Sequence, residues 1–211
     1  MSFNPALYLS IRKIHRVHHI ASLVSQNFSP RINSFTPIPF KRSPSNLRMS
    51  SNFFHDAHSN TYDRMASGCT RKVAEQFLSD LLPSITPSSY ILDNACGTGI
   101  VTRLIKATHP SARIMCADLA PQVLEVLRGH VAENKWDGIE TDVLDVRDLK
   151  TLKDETFTHV LTNFGFAPTP DDLNGPTKAA AEMFRVLKKG GVCIVTTWAG
   201  MPLSLVHTDN I

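Results

Sequence analysis

The sequence predicts an α/β domain in which helices cover a parallel β-sheet. Short apolar runs alternate along the chain with longer segments whose apolar residues recur at helical spacing. The first of these runs, at residues 90–92, leads through a loop containing Gly97 and Gly99 into a helical segment. Polar residues follow the ends of several runs, which is where open α/β sheets bind ligands. A length of 211 residues suits one such domain with extensions.

Residues 1–52 differ in composition from the rest of the chain. The first 55 residues contain seven Lys or Arg and no acid, and because the whole chain carries +3, residues 56–211 carry −4 (+3 minus +7). In a helix, Leu7 and Ile11 would share one side. This composition predicts either a mitochondrial transit peptide or a basic disordered extension, with translation from Met49 as a form of the second case. The protein would be mitochondrial in the first case and cytoplasmic otherwise.

Residues 53–211 are predicted to form the folded domain, and their composition argues against several functions. The mild negative charge argues against nucleic-acid binding, which needs clustered positive charge. No apolar run approaches the roughly 18 residues of a membrane span. The four cysteines lack the paired spacing of a zinc site or a disulfide framework, so we expect reduced thiols and no metal site; they are Cys69, Cys96, Cys116 and Cys193.

The segment 91–102 is the feature around which the predicted site is built. Gly97 and Gly99 permit backbone angles and close approaches that a Cβ would forbid, and such a turn directs free N–H groups at a ligand. A dinucleotide-binding loop would have a third glycine where this chain has Thr102, so the evidence for a nicotinamide or flavin cofactor is weak. Asp93, at the end of the strand, would repel a pyrophosphate and favour an ammonium or sulfonium group.

This segment resembles motif I of the class I S-adenosylmethionine-dependent methyltransferases, which has the pattern acid-x-Gly-x-Gly-x-Gly. Asp93 is the acid here, and an alanine occupies the first glycine position. The resemblance implies a Rossmann-like sheet and S-adenosylmethionine as the cofactor. It also implies that the loop contacts this cofactor, through Asp93, Ala95, Cys96, Gly97, Thr98 and Gly99.

A second predicted strand, over residues 112–118, ends in another carboxylate. Asp118 can accept hydrogen bonds from the two hydroxyls of a ribose, which S-adenosylmethionine and dinucleotides both contain. The same residue is also a candidate N-cap for the following helix, since Pro121 suits a first helical turn. We include Asp118 and the adjacent Leu119 in the predicted cofactor site.

The third predicted strand is followed by residues 144–149, which resemble the family's Asp-Ala-x-x-Leu segment. In that segment the acid accepts a hydrogen bond from the adenine amino group, and the N–H of the next residue reaches a ring nitrogen. The resemblance assigns these roles to Asp145 and Val146. Asp142 and Asp148 are alternative acids in neighbouring registers.

The fourth predicted strand, over residues 156–163, leads into the sequence Asn-Phe-Gly-Phe. Methyltransferases that act on amino groups carry Asn/Asp-Pro-Pro-Tyr at this place, and the chain keeps only the asparagine. This difference argues against an exocyclic DNA amine as the acceptor. Asn163 is included in the predicted cofactor site, whereas His159 lies in the middle of the strand and is predicted to be an interior histidine rather than a general base.

The C-terminal part of the chain is expected to be incomplete. A helix over residues 179–187, the sequence Lys-Lys-Gly-Gly and a strand over residues 192–198 resemble fungal and ubiquinone- or menaquinone-biosynthesis methyltransferases. Upstream, Tyr62 lies in a segment that resembles the family's cap over the cofactor, with simple packing as its alternative role. The family has strand order 3-2-1-4-5-7-6, but only thirteen residues follow Trp198. We therefore expect the order 3-2-1-4-5 without strands 6 and 7, and an exposed fifth strand that a partner protein would cover.

These features predict methyl transfer from S-adenosylmethionine to a small-molecule acceptor. The sulfonium methyl group is already activated, so the protein would mainly align the reactants and exclude water, without a metal. Two alternatives remain open: a catalytically incomplete cofactor-binding fragment that acts through a partner, and a nicotinamide-dependent oxidoreductase.

Overall fold

The computed structural model describes residues 6–12, 68–165, 172 and 174–198. Tyr62, in the predicted domain, and all of the predicted N-terminal extension except residues 6–12 lie outside these residues. The strands are β1 (Ala6–Arg12), β2 (Tyr90–Asn94), β3 (Arg113–Asp118), β4 (Ile139–Val143), β5 (Phe157–Asn163) and β6 (Leu187–Trp198). The helices are α1 (Cys69–Leu81), α2 (Ile100–Thr108), α3 (Pro121–Asn134) and α4 (Gly175–Val186), and a 3₁₀ turn spans Leu82–Ser84.

The strands of the described part form one sheet in the order β1-β6-β5-β2-β3-β4. All pairings among the five strands β2 to β6 are parallel. The parallel part therefore has the predicted order 3-2-1-4-5, and the predicted Rossmann-like fold class is confirmed. Its carboxyl edge carries the ends of β2, β3, β4 and β5, so the residues that follow these strands are brought to one side of the sheet.

The sequence predicted an exposed edge at the fifth parallel strand, which is β6. This prediction is wrong, because β1 pairs with that edge. The two strands run antiparallel, with Ala6 opposite Trp198 and Arg12 opposite Val192. An edge strand presents unpaired N–H and C=O groups, and an extended segment that pairs with them satisfies both sets. Residues 6–12 consequently form a strand rather than the helix that the spacing of Leu7 and Ile11 suggested, and over these seven residues the chain differs from the expected disordered extension.

Two hydrophobic clusters hold helices to the two faces of the sheet. Helices α1, α2 and α3 pack on one face together with Ile91, and α4 packs on the other face together with Leu92. Both of these neighbouring β2 residues are fully buried, as expected for a central parallel strand covered on both sides. The sheet edge is thereby positioned by packing on both faces.

A buried lysine joins the end of α2 to the loops beside β3 and β4. The side chain of Lys106 is almost completely inaccessible to solvent. Its Nζ donates hydrogen bonds to the carbonyl oxygens of Pro110 at 2.8 Å, Ala112 at 2.6 Å and Asp137 at 2.6 Å. Because an ammonium group has three N–H donors, all of them are satisfied by backbone acceptors.

We expect Lys106→Met to destabilise the fold by roughly 2–4 kcal/mol, because a methionine has similar length but strands three buried carbonyl groups. The free energy of unfolding in urea measures this effect. Lys72→Met, at an exposed position of α1, is the matched control and should stay within about 0.5 kcal/mol of the wild type. Equal unfolding midpoints for the two variants would contradict the assigned role of Lys106.

Candidate functional site

The loop between β2 and α2 is built from residues in the left-handed backbone region. Ala95, Gly97 and Gly99 have φ values of 56°, 54° and 85°. A Cβ on Gly99 would lie 2.4 Å from Cδ1 of Leu127, so this glycine permits the close packing of the loop against α3. A Cβ on Gly97 would meet nothing within 4 Å among the described residues. The backbone at Gly97 therefore borders open space at the carboxyl edge of the sheet.

Asp118 holds this loop against the end of β3. Its Oδ2 accepts a hydrogen bond from the N–H of Gly97 at 2.8 Å, and its Oδ1 accepts one from the N–H of Ala120 at 3.0 Å. Ala120, not Asp118, occupies the N-cap position of α3, so the alternative role of Asp118 as the N-cap is wrong. Burial raises the pKa of Asp118. A carboxylate has about four acceptor positions, so the group can still accept hydrogen bonds from ligand hydroxyls.

Asp93 is placed differently from the expected countercharge above the loop. The side chain is only 1% exposed, and its Oδ2 accepts hydrogen bonds from the backbone N–H of Thr102 at 3.1 Å and from its Oγ1 at 2.6 Å. Thr102, which stands at the third glycine position of a dinucleotide loop, thus anchors the first turn of α2 to β2. Burial, together with the smaller effect of the nearby charge of Asp118, raises the pKa of Asp93 to about 6, although the hydrogen bonds from Thr102 act in the opposite direction.

Two large apolar side chains are exposed beside these acids. Leu119, which was predicted, is 62% exposed after β3, and Val143, which was not predicted, is 46% exposed at the end of β4. Among the described residues, these two are the large hydrophobic side chains that are exposed. Their strands are adjacent, with Asp118 opposite Val143 in the register.

Asp145 lies beyond β4 in a local ion cluster. Its Oδ1 accepts hydrogen bonds from the backbone N–H of Arg147 at 2.8 Å and from the Nε of the same residue at 2.9 Å. Arg147 also pairs with Asp172 at 3.2 Å. The hydrogen bonds from Arg147 hold the pKa of Asp145 below its ordinary value. The predicted contact of Asp145 with an adenine amino group stays a prediction, and this contact would compete with Arg147.

The other acids that the sequence allowed here are separately engaged. Oδ1 of Asp142 accepts a hydrogen bond from the N–H of Val143 at 2.8 Å, and Asp148 pairs with Lys150 at 2.7 Å. Val146 is partly buried against the cluster beneath α4.

Asn163 connects three elements of the fold. Its Nδ2 donates a hydrogen bond to the carbonyl oxygen of Thr70 at 3.2 Å, and its Oδ1 accepts one from Oγ1 of Thr196 at 2.7 Å. Both ends of the amide therefore have protein partners, and the predicted contact of Asn163 with the cofactor stays a prediction. The next turn passes close to the glycine-containing loop, since a Cβ on Gly165 would lie 2.2 Å from the Cβ of Ala95. Sequence patterns gave no signal for this approach.

The remaining side chains of the loop and its strand are buried. Cys96 and Thr98 lie beneath the loop, and a hydrogen bond with Cys116, together with burial, raises the pKa of Cys96. Asn94 is fully buried at the end of β2, and both polar atoms of its amide lack a hydrogen-bond partner among the described residues. His159 is 4% exposed in the middle of β5, so its prediction as an interior histidine is confirmed.

The described residues contain no group of three or more His, Cys, Asp or Glu side chains that could hold a metal ion. None of the described helices has the length and apolar character of a membrane span.

Comparisons with known proteins give a consistent picture. Residues 91–191 match the family described as methyltransferase domain. The methyltransferase ucsB of Acremonium sp is 29% identical over 160 residues, which are 69% of this chain and 54% of that protein. The demethylmenaquinone methyltransferase of Thermus thermophilus is 34% identical over 113 residues, covering 53% of this chain and 48% of that protein. A solved methyltransferase structure from Methanococcus maripaludis has a TM-score of 0.49 and 18% identity, covering 63% and 59% of the two chains. The chain thus spans about half the length of the relatives it matches.

We expect the pKa of Asp93 to make wild-type stability fall as pH rises from about 4 to 6. In this window the unfolded chain releases the proton of Asp93 near its ordinary pKa of 3.8, whereas the folded protein retains it up to about 6. Asp93→Asn removes the pH-dependent contribution of Asp93 to the free energy of unfolding, and it keeps an oxygen that can accept hydrogen bonds from Thr102. The stability of the variant relative to the wild type should therefore rise by roughly 2–3 kcal/mol between pH 4 and 7.

Urea unfolding at a series of pH values measures this difference. The control is Glu133→Gln, which changes a carboxylate whose side chain is 75% exposed and should give a profile parallel to that of the wild type. A constant difference between Asp93→Asn and the wild type across this range would refute the raised pKa.

Proposed function

We propose that this chain, which belongs to the class I S-adenosylmethionine-dependent methyltransferases, transfers a methyl group from S-adenosylmethionine to a small-molecule acceptor. The observation that carries the proposal is the clamp between Asp118 and the amide of Gly97, with exposed Leu119 and Val143 beside it. Acceptors for ribose hydroxyls and an apolar surface for a base lie at adjacent strand ends. This arrangement supports the binding of a nucleoside.

The residues at the carboxyl edge fit S-adenosylmethionine in charge and shape. Asp93 and Asp118 interact electrostatically, and each is raised in pKa by burial, so a positively charged ligand nearby would relieve an unfavourable concentration of negative charge. The open space at Gly97 leaves room for the ligand against the backbone. Asp118 would bind the ribose, and Leu119 and Val143 would pack against the adenine.

The chemistry requires little from the protein beyond orientation. When bound, S-adenosylmethionine supplies a methyl group that is already activated by the sulfonium. The buried hydrogen bond from Thr102 to Asp93 fixes the first turn of α2. The close approach of Gly165 to Ala95 fixes the glycine-containing loop from the other side. Rigid walls of this kind align an acceptor with the methyl group and limit the access of water.

A small-molecule acceptor is supported by two features. The Thermus relative is a demethylmenaquinone methyltransferase, so its acceptor is a quinone. The residues after Asn163 lack the proline and tyrosine of enzymes that methylate amino groups, and residues 56–211 carry net negative charge, which disfavours a nucleic acid.

A nicotinamide dinucleotide fits the same edge less well. Its pyrophosphate would approach the loop that Asp93 and Asp118 already surround with negative charge, and Thr102 replaces the third glycine of the dinucleotide pattern. A fragment that binds the cofactor without turnover would differ from an enzyme in one respect. Only the enzyme would release S-adenosylhomocysteine when an acceptor is present. Measuring both binding and product release therefore separates the three functions.

We expect Asp118→Asn to weaken S-adenosylmethionine binding by about 1–3 kcal/mol. The amide nitrogen that replaces one carboxylate oxygen cannot accept the hydrogen bonds that the N–H of Gly97 and the ribose hydroxyls donate to this group. Isothermal titration calorimetry measures the affinity of the full chain. Asp148→Asn, which alters an acid beyond the neighbouring strand that pairs with Lys150, is the matched control and should bind as the wild type does.

Two results would contradict the proposal. One is unchanged affinity in a folded Asp118→Asn variant. The other is NADH binding that S-adenosylhomocysteine does not displace. A screen of quinones and phenols for release of S-adenosylhomocysteine then tests turnover, and tight cofactor binding without any release would favour the cofactor-binding fragment.

A further inference from the structure

A surface cavity of about 300 Å³, open to solvent on one side, lies at the amino edge of the sheet, away from the glycine-containing loop. It is bordered by the turn before β2, by the start of β5 and by the start of β6, with Ser84, Thr158 and Lys188 as representatives of the three walls. Its volume is at the lower end of the ~300–1,000 Å³ range of small-molecule sites. Strand β5 has seven residues, so at about 3.3 Å per residue the cavity is roughly 20 Å from the carboxyl edge.

An irregularity between β5 and β6 creates this cavity. Phe157 pairs with Leu187 and His159 pairs with Val192, so residues 188–191 of β6 stand opposite Thr158 alone. Such a bulge bends its strand and changes the direction of its side chains.

Gly191 makes the close approach in this bulge possible. A Cβ at this position would lie 2.8 Å from the carbonyl oxygen of Thr158 and 2.7 Å from Cδ1 of Leu187. The bulge therefore depends on a glycine here, and it places two consecutive lysines at the border of the cavity.

The lining of the cavity is positively charged and rich in hydroxyl groups. Lys188 and Lys189 are exposed, and neither has an ion pair or side-chain hydrogen bond recorded among the described residues. The described lining contains no carboxylate. On the opposite wall, the hydroxyl oxygen of Thr86 lies 3.0 Å from that of Ser88 and 3.3 Å from that of Ser89. The three hydroxyl groups have three hydrogens for these two contacts, so one donor stays free.

His159 adds a buried ring with a hydroxyl group beside each of its nitrogens. Its Nε2 lies 3.1 Å from Oγ of Ser84, and its Nδ1 lies 2.8 Å from Oγ1 of Thr158. These hydroxyls have carbonyl acceptors of their own, on Leu81 at 2.7 Å and Tyr90 at 3.0 Å. When both hydroxyl hydrogens point to those carbonyls, only an imidazolium donates to both hydroxyl oxygens.

Burial lowers the pKa of His159 and so favours its neutral ring, and the positive charge at the cavity comes from the two lysines. An anion in the cavity would supply the counter-charge that the described lining lacks. The ammonium groups and the hydroxyl donors then form one set of donors for a single ligand, while the imidazole lies behind them with both nitrogens beside protein hydroxyls.

We propose that this cavity binds the phosphate group of a phosphorylated small molecule. Ammonium and hydroxyl groups are common phosphate donors, and the volume leaves room for a small organic part of the ligand. S-Adenosylmethionine contains no phosphate, and the separation from the carboxyl edge excludes direct contact with a methyl group there. The ligand would thus be an additional one, distinct from the cofactor and from the acceptor.

The experiment is a titration of the full chain with inorganic phosphate at constant ionic strength, followed by two-dimensional NMR. We expect saturable shifts of the backbone amides of Gly190 and Gly191 and of the ring signals of His159. In K188Q/K189Q the dissociation constant should rise at least about tenfold, because two charged donors are lost. The matched control K72Q/K135Q removes the same charge from exposed positions away from the cavity. It should change the dissociation constant for phosphate less than about twofold.

Saturable shifts at these positions that depend on Lys188 and Lys189 support the site. The proposal is overturned if these signals do not shift saturably, if K188Q/K189Q binds phosphate as the wild type does, or if S-adenosylhomocysteine displaces the phosphate. Shifts in the wild-type protein locate the ligand without any variant, and thermal unfolding verifies that both double variants are folded. A failure of cofactor binding alone would leave these outcomes unaffected, so the two proposals are tested separately.

Discussion

The hydrogen bonds that Asp118 accepts are the constraint on which the candidate site depends. They join the amide of Gly97 to the end of β3 and leave the carboxylate between the two elements that a nucleoside would touch. The loop can meet this carboxylate only because alternate residues adopt left-handed angles, at Ala95, Gly97 and Gly99. A second bond, from the amide of Cys96 to the carbonyl oxygen of Ala117, holds the same loop to the same strand. The positions of the exposed Leu119 and of the first turn of α2 follow from this clamp.

The two edges of the parallel sheet differ in charge, and this difference separates the two proposed ligands. The carboxyl edge has buried acids, with Asp93 under the loop and Asp118 beside it. The amino edge has Lys188, Lys189 and a buried histidine around its cavity. A positively charged nucleoside without phosphate suits the first edge, and a phosphate suits the second. Because parallel strands bring all their carboxyl ends to one side and all their amino ends to the other, one sheet can keep the two environments about 20 Å apart.

Strand β1 changes what the sheet offers to other molecules. A fifth parallel strand without a neighbour would leave a row of unpaired backbone groups, which invites association with other chains. Pairing with Ala6–Arg12 satisfies these groups within the chain. The order 3-2-1-4-5-7-6 that the resemblance implies has a further strand beside the fifth, and in this sheet a segment from the N-terminus lies there.

Much of the fold and part of the site follow from local sequence. Apolar periodicity identified the five parallel strands and their helices, the glycines marked a loop that must adopt left-handed angles, and mid-strand His159 was correctly placed in the interior. These properties are local because they depend on residues within a few positions of one another. Only the tertiary structure decided which partner each polar side chain takes: Asp93 binds Thr102, Asn163 binds Thr70 and Thr196, and Asp145 binds Arg147. Such choices, like the pairing of β1 with β6, depend on distances between segments far apart in the chain, and packing alone sets those distances.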